Sequence, residues 1–150
     1  MPIKRTDFLK PLSRDHHHGL LLCWKIRVGF KKHIDPQRIK KYANWFFETH
    51  LTPHFETEEK NFFPILGNEN SLVVKAKAEH QYLRKLFAKS ENLEANLNLI
   101  ADELNNHIRF EERELFPAIE EKLTNDQLNE FATAHKEERF MDNLSDSFWL

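Results

Sequence analysis

Cysteine, glycine and long apolar runs are all scarce in this chain. Cys23 is the only cysteine among 150 residues, which excludes an intrachain disulfide and favours a reducing compartment. Three glycines and six prolines provide few turns, so a few long helices are favoured over a sheet. No apolar stretch approaches the length of a membrane span, and residues 1–7 lack the hydrophobic stretch of a secretory signal. We therefore expect a cytoplasmic, helical protein that does not act in a membrane.

Excess charge of either sign is also lacking. The chain carries 22 Lys and Arg against 24 Asp and Glu, a net charge of -2, so we expect no nucleic-acid partner and no anionic membrane surface. A hydrophobic fraction of 40% is ordinary for one domain of this length, which we predict for residues 1–150. Histidine, in contrast, is abundant. The nine histidines are the feature that a function has to explain.

One eleven-residue pattern occurs twice, and each copy begins with one of these histidines. Residues 54–64 and 107–117 both read His-x-x-x-Glu-Glu and end in Phe-Pro. Because four residues make slightly more than one helical turn, the His and the first Glu of each copy lie on one helix face. These pairs are His54 with Glu58 and His107 with Glu111. The alternative is two surface ion pairs, but the inward phase of both copies and their shared Phe-Pro ending favour a site.

The capping residues and prolines predict four long helices and a short fifth one. Pro11 suits the first position of a helix, and Asp35-Pro36 reads as a cap followed by a first-turn proline. The first predicted helix spans about residues 11–32, and the second starts at 36 and is ended by Pro64 and Gly67. The third and fourth span about 71–89 and 93–122, and a capping box predicts the fifth at 124–141. Pro53 lies inside the second helix, where we expect a kink. The predicted fold is all-α: an up-down four-helix bundle at about 11–122, with a short helix and tail at 124–150.

The first helix has an apolar stripe that includes one histidine. At 100° per residue the stripe consists of Leu12, His16, Gly19, Leu20, Cys23, Ile26 and Phe30. His17 falls toward its edge, and His18 points away from it. We therefore interpret His17, His18, His33 and His135 as edge or surface residues, and the thiol of Cys23 as buried and inert.

Two single histidines complete the repeat. His16 and His80 each follow an acidic residue near the start of a helix, so the order along the chain is His, then His-x-x-x-Glu, and then both again. For these two, a buried histidine satisfied by hydrogen bonds is the alternative to ligation. The candidate metal ligands are His16, His54, Glu58, His80, His107 and Glu111. His50, one turn before His54, is a candidate additional ligand or a lining residue.

Four imidazoles and two carboxylates suit a pair of metal ions. Each carboxylate can bridge the two metals, and two imidazoles can bind each metal as terminal ligands. This set leaves coordination positions open for a small ligand. Mixed imidazole and carboxylate donors suit iron or manganese, although zinc accepts the same donors. The absence of nearby cysteine argues against a closed structural zinc site. Glu59 and Glu112 lie 100° off the metal-facing line, so we expect them to be solvated or to act behind the ligands.

The motifs resemble those of the hemerythrin-like family, specifically its HHE cation-binding branch. Residues 12–16 look like the opening His motif of that family, and the two repeats match its His-x-x-x-Glu-Glu…Phe-Pro signature. The resemblance covers about residues 10–120. It implies a four-helix bundle around a non-haem di-iron centre with the six candidate ligands named above. Family members variously carry dioxygen, bind nitric oxide, sense iron or oxygen, or protect iron–sulfur enzymes.

The chain departs from the oxygen-carrying hemerythrins at two positions. Those proteins have His-x-x-x-His on the third helix, where this chain has His80 and Arg84, and His-x-x-x-x-Asp on the fourth, where it has His107-x-x-x-Glu111. From the resemblance we expect two iron ions that bind dioxygen or nitric oxide, or that sense iron or oxygen, with no separate catalytic residue. A di-iron enzyme of the oxidase or peroxidase type is one alternative. The other is a metal-free helical module that docks a partner, or forms a homodimer, through residues 148–150.

Overall fold

In the computed structural model, residues 6–123 and 140–150 are described, and they contain four helices and no strand. Helix α1 is Lys10–Lys31, α2 covers residues 36–66, α3 is Ser71–Ala88 and α4 covers residues 93–122. Helices α2 and α4 are continuous but not uniform. They contain the α-helical segments Pro36–Phe46, Thr52–Thr57, Phe63–Leu66, Leu93–Phe110 and Phe116–Lys122, separated by π-helical turns. The all-α prediction is confirmed, whereas the fifth helix predicted at 124–141 falls almost entirely outside the described residues.

Helices α2 and α3 each begin directly after a residue whose side chain caps the helix, Asp35 as predicted and Asn70. The carboxylate of Asp35 accepts a hydrogen bond of 2.9 Å from the backbone N–H of Gln37, and the side chain of Asn70 accepts one of 2.9 Å from Leu72. Both bonds satisfy a first-turn N–H that has no partner inside the helix. Gly67 ends α2 with a φ of +92°, a conformation that L side chains rarely adopt.

Three π-helical turns accommodate three prolines inside α2 and α4. The turns are Phe47–Leu51, Glu58–Phe62 and Glu111–Leu115. Each turn is followed by one residue and then by a proline: Pro53, Pro64 or Pro117. Proline donates no hydrogen bond and its ring clashes with the carbonyl four residues earlier, so a locally wider turn relieves the conflict. A π-helical turn thus lies just before Pro53, where we expected a kink, and Pro64 does not end its helix, which continues to Leu66.

The apolar core consists of two clusters at opposite ends of the bundle. One cluster contains Leu22, Ile26, Ile39, Leu83 and Leu104, among others. The second contains residues nearer the other end of each helix: Leu12, Phe62, Val73, Ala76 and Phe116, among others. Helix α1 passes from the second cluster to the first, α2 returns, and α3 and α4 repeat the pair of passes. This order gives the up-down arrangement, and the buried histidines and glutamates of the helices lie between the clusters.

Helix α1 packs closely against α4 at Gly19. A Cβ on Gly19 would lie 2.8 Å from Cδ1 of Ile108, closer than real Cβ contacts. The stripe predicted for α1 was wrong at one position, since Leu20 is 37% exposed and Leu22 is buried in its place. Cys23 is buried as expected, and burial raises the pKa of its thiol to about 12.

The last eleven residues, 140–150, form a C-terminal strap across α1 and α2. Lys25 donates hydrogen bonds of 2.8 Å to Asp142 and 2.7 Å to the hydroxyl of Tyr42. Arg38 donates two to the carboxylate of Asp146, at 3.0 and 2.7 Å. Phe148 is 2% exposed and belongs to the first core cluster. The apolar tail therefore packs against its own bundle. None of the described helices is long and apolar enough to cross a membrane.

Candidate metal centre

Six side chains from all four helices meet between the two apolar clusters. Their ligand atoms fall into two groups, each with its atoms within 4.8 Å of one another. The first group is His16, His54, Glu58 and Glu111, and the second is Glu58, His80, His107 and Glu111. Both carboxylates belong to both groups. The structure therefore brings together all six residues that the sequence singled out, in the arrangement that two bridged cations require.

The two carboxylates contact histidines of both halves of the chain. The shortest distances from Glu58 are 3.1 Å to Nε2 of His54 and 3.3 Å to Nε2 of His80. Those from Glu111 are 2.9 Å to Nε2 of His16 and 3.4 Å to Nε2 of His107. The Nε2 atoms of all four imidazoles thus point toward the same two carboxylates.

Several of these atoms are buried without a hydrogen-bond partner in the described part of the chain. They are Nε2 of His54, His80 and His107, both carboxylate oxygens of Glu58, and Oε2 of Glu111. Glu58, His80 and Glu111 are 0% exposed. Leaving so many buried polar atoms unpaired is costly. A cation at each group would satisfy them, so the residues present fit a pair of metal ions.

A second set of carboxylates orients the four imidazoles from behind. Each Nδ1 lies within hydrogen-bond distance of one carboxylate oxygen. The pairs are His16 with Glu112 at 2.7 Å, His54 with Asp15 at 3.0 Å, His80 with Glu59 at 2.6 Å and His107 with Glu79 at 2.7 Å. A carboxylate on Nδ1 fixes the tautomer that leaves Nε2 free to bind a metal, and it makes the ring a stronger donor.

These partners repeat the internal symmetry of the sequence. Asp15 and Glu79 each precede one candidate ligand but contact the histidine of the following helix. Glu59 and Glu112 each follow a candidate ligand and contact the histidine of the other half. The acid before each single histidine is evident in the sequence, but the imidazole that it contacts is not. Glu59 and Glu112 lie behind the ligands, which is one of the two positions expected for them.

Aromatic rings hold the imidazole planes. Phe55 stacks on His80 with ring centroids 3.9 Å apart, and Phe116 stacks on His16 at 5.0 Å. Phe62, Phe63, Leu115 and Phe116 are each 0% exposed. The end of the bundle below the ligands is therefore closed by apolar side chains.

Comparison with known proteins agrees with this geometry. A family model, the Hemerythrin HHE cation binding domain, matches residues 7–119. This chain belongs to the hemerythrin HHE family. A DNA nickase of Nostoc sp. (strain PCC 7120 / SAG 25.82 / UTEX 2576) is 29% identical over 111 residues, covering 68% of this chain and 31% of that protein. The chain thus spans about a third of the length of that relative. No solved structure matches the chain.

The HHE site is electrostatically prepared for cations. Burial lowers the pKa of each imidazole, but the neighbouring carboxylates have the larger effect. They raise the pKa to about 10 for His54, about 11 for His80 and about 9 for His107. Burial raises the pKa of Glu111, yet His107, His16 and His80 hold it well below its usual range. With neutral imidazoles, six carboxylates would surround the site. Their negative charge favours bound cations.

The remaining histidines of the HHE domain lie outside both ligand groups. His17 and His33 are exposed, as predicted, and His135 lies outside the described residues. His50 is not part of either group and is instead packed against aromatic rings, including Phe140 at 4.5 Å. The prediction that His18 points away was wrong in part. It stacks on Phe140 with ring centroids 3.9 Å apart, a contact that the sequence could not reveal because the two residues are far apart in the chain.

A small cavity lies beside the ligand cluster. Its wall includes three candidate ligands (His16, His54 and His107) and, from elsewhere, His18, His50 and Phe140. About 20 Å³ is open to the centre of a water molecule. Since one water needs roughly 10–15 Å³ by this measure, the cavity has room for one or two small molecules.

Proposed function

We propose that this chain binds two iron ions and, through them, a diatomic ligand, either dioxygen or nitric oxide. Glu58 and Glu111 would bridge the ions. His16 and His54 would complete one coordination sphere, and His80 and His107 the other. The observation that carries the proposal is that two groups of buried ligand atoms share both carboxylates.

The donor set is compatible with iron and argues against a structural zinc site. Imidazole mixed with carboxylate suits iron or manganese, and the same donors accept zinc. A closed structural zinc site normally uses thiolates, and the single thiol, Cys23, lies in the apolar core away from both groups. Iron supplies reversible binding of diatomic molecules, which fits the four protein donors per metal and the open positions they leave.

The cavity supports a small ligand in preference to a large substrate. With about 20 Å³ open to the centre of a water molecule, it accommodates a diatomic molecule but not an organic one. Its polar wall residues other than the candidate ligands are Asp15, His18 and His50. Asp15 is paired with His54, and His18 and His50 both pack against Phe140, so we infer that binding or sensing, not turnover, is the principal activity. A reducing compartment such as the cytoplasm suits the single buried thiol.

The proposal is tested by metal content and an absorption spectrum of aerobically purified protein. We expect close to two irons per chain and charge-transfer bands that change on adding nitric oxide or dithionite. His16→Ala is expected to reduce the metal content, and His17→Ala, which alters the exposed neighbour, is the matched control. Protein that contains no metal, and takes up none after anaerobic iron loading, would overturn the proposal. Sustained turnover of peroxide with a reductant would instead favour a di-iron enzyme.

A further inference from the structure

Arg84 lies on α3 one turn after His80 and contacts the carboxylate behind that imidazole. Its two terminal nitrogens lie 3.1 Å from Oε2 and 3.2 Å from Oε1 of Glu59. This two-point contact fixes the plane of the carboxylate. The guanidinium also lies 5.5 Å from the ring centre of Phe55, which stacks on His80. Arg84 is therefore held beside His80 without touching it.

One oxygen of Glu59 receives both neighbours. Oε2 lies 2.6 Å from Nδ1 of His80 and 3.1 Å from Arg84. An oxygen shared with a cation is a weaker acceptor for the imidazole N–H than an oxygen that the imidazole has to itself. A weaker acceptor on Nδ1 leaves less electron density on Nε2, the atom that faces the metal position.

The other imidazole of the same ligand group lacks this arrangement. Nδ1 of His107 lies 2.7 Å from Glu79, and in the described parts of the chain Glu79 has no other hydrogen-bond partner. Its carboxylate is 29% exposed, close to the 27% of Glu59, so burial does not distinguish the two. The difference is the guanidinium.

We propose that Arg84 is a positioning residue that acts through Glu59 on His80 and raises the reduction potential of the metal bound there. The proposal rests on the di-iron function proposed above. A less electron-rich imidazole stabilises the higher oxidation state less, so the reduced metal is favoured. Arg84 thereby takes a role at the position where oxygen-carrying hemerythrins place a direct ligand.

Two substitutions are expected to move the potential in opposite directions. In Arg84→Gln the carboxylate loses its cation and becomes a stronger acceptor, so the ratio of reduced to oxidised metal at a fixed poise should fall, by about tenfold. In Glu59→Gln the acceptor is neutral, so the same ratio should rise. Arg84→Lys keeps the charge but loses the two-point contact, so it should shift the ratio in the same direction as Arg84→Gln but by less. Arg27→Gln, which breaks an exposed pair with Asp102, is the matched control.

The measurement is a redox titration of the iron-loaded full chain, followed by its absorption spectrum, with metal content determined on each sample. In the double variant, Arg84→Gln should have no further effect, because it acts only through Glu59. If Arg84→Gln holds two irons with the parent's potential, or if both variants shift it the same way, the proposal is overturned. If Arg84→Gln does not fold, the direction of the Glu59→Gln shift decides. A parent that binds no iron overturns the proposed function itself and this inference with it.

Discussion

Asp15 directly precedes His16, yet its carboxylate lies 3.0 Å from Nδ1 of His54 on the next helix. Glu79 stands in the same relation to His80 and His107, at 2.7 Å. The acid before each single histidine therefore connects two helices of one half of the bundle. The site depends on these carboxylates for the orientation of its ligands as well as on the ligands themselves.

We expect Asp15→Asn to weaken metal binding without abolishing it. The substitution keeps the size of the side chain but removes the charge that orients His54. Such changes typically reduce metal affinity by about 10-fold to 100-fold. Competition with a chelator of known affinity measures the change. Asp102→Asn, at an exposed pair with Arg27, is the control. Equal affinities for the two variants would contradict a role for Asp15 behind His54.

Substitution of a shared carboxylate should affect both metals. Glu111 belongs to both ligand groups, so Glu111→Gln is expected to lower the metal content by more than one ion per chain. Glu112→Gln changes the neighbouring residue, which belongs to neither ligand group and contacts Nδ1 of His16 and the hydroxyl of Ser13, and should retain two ions with reduced affinity. Elemental analysis after loading separates these outcomes. Loss of a single ion in Glu111→Gln would show that this carboxylate does not bridge.

Metal uptake should release protons, and affinity should increase with pH. The carboxylates raise the pKa of His54 to about 10 and that of His80 to about 11, against the effect of burial, so both imidazoles are protonated at neutral pH without metal. A metal ion must displace these protons. Calorimetry in two buffers with different ionisation enthalpies measures their number. Affinity independent of pH between about pH 6 and pH 9 would contradict this expectation.

The same shifts set the sign of the pH dependence for the metal-free chain. The folded-state pKa values lie above the ordinary value of 6.5, so this contribution to stability is fully present below pH 6.5. It is lost as the pH rises through about 9 for His107, about 10 for His54 and about 11 for His80. Thermal unfolding of the metal-free protein should therefore move to lower temperature in this alkaline range, and bound metal should suppress the change.

Phe140 forms part of the cavity wall and stacks on His18, so its removal should ease ligand entry. We expect Phe140→Ala to accelerate nitric oxide binding, measured by stopped-flow absorbance, while the metal content stays at the parent level. Met141→Ala, which alters the 70% exposed neighbour in the C-terminal strap, is the control. Equal association rates for Phe140→Ala and the parent would show that entry does not pass Phe140.

The repeat explains how far the sequence could predict the site. His54 and Glu58 are four residues apart on one helix, as are His107 and Glu111, so helical periodicity alone places each pair on a common face. The single histidines His16 and His80 could be added because the order of residues repeats. The four helices and most of their ends follow from a different local signal, the capping residues and prolines.

Two kinds of feature could not be predicted in this way: local departures from a regular α-helix, and contacts between residues distant in the chain. The π-helical turns beginning at Glu58 and Glu111 depend on how a proline is accommodated, and the usual 100° period does not include them. His50 shares the inward phase of His54, yet packing against Phe140 and Trp45 places it beside the site and outside the ligand groups. Periodicity specifies a face but not the neighbour on that face.

The sequence by itself determined the helices, the six converging side chains and the kind of ion that their donors suit, because these depend on local spacing and on donor chemistry. Only the tertiary structure decided that both carboxylates are shared, which carboxylate lies behind each imidazole, and that Arg84 contacts Glu59. Those relationships arise where four helices pack together. The distances between their side chains are set by the packing of the whole bundle, not by any one segment.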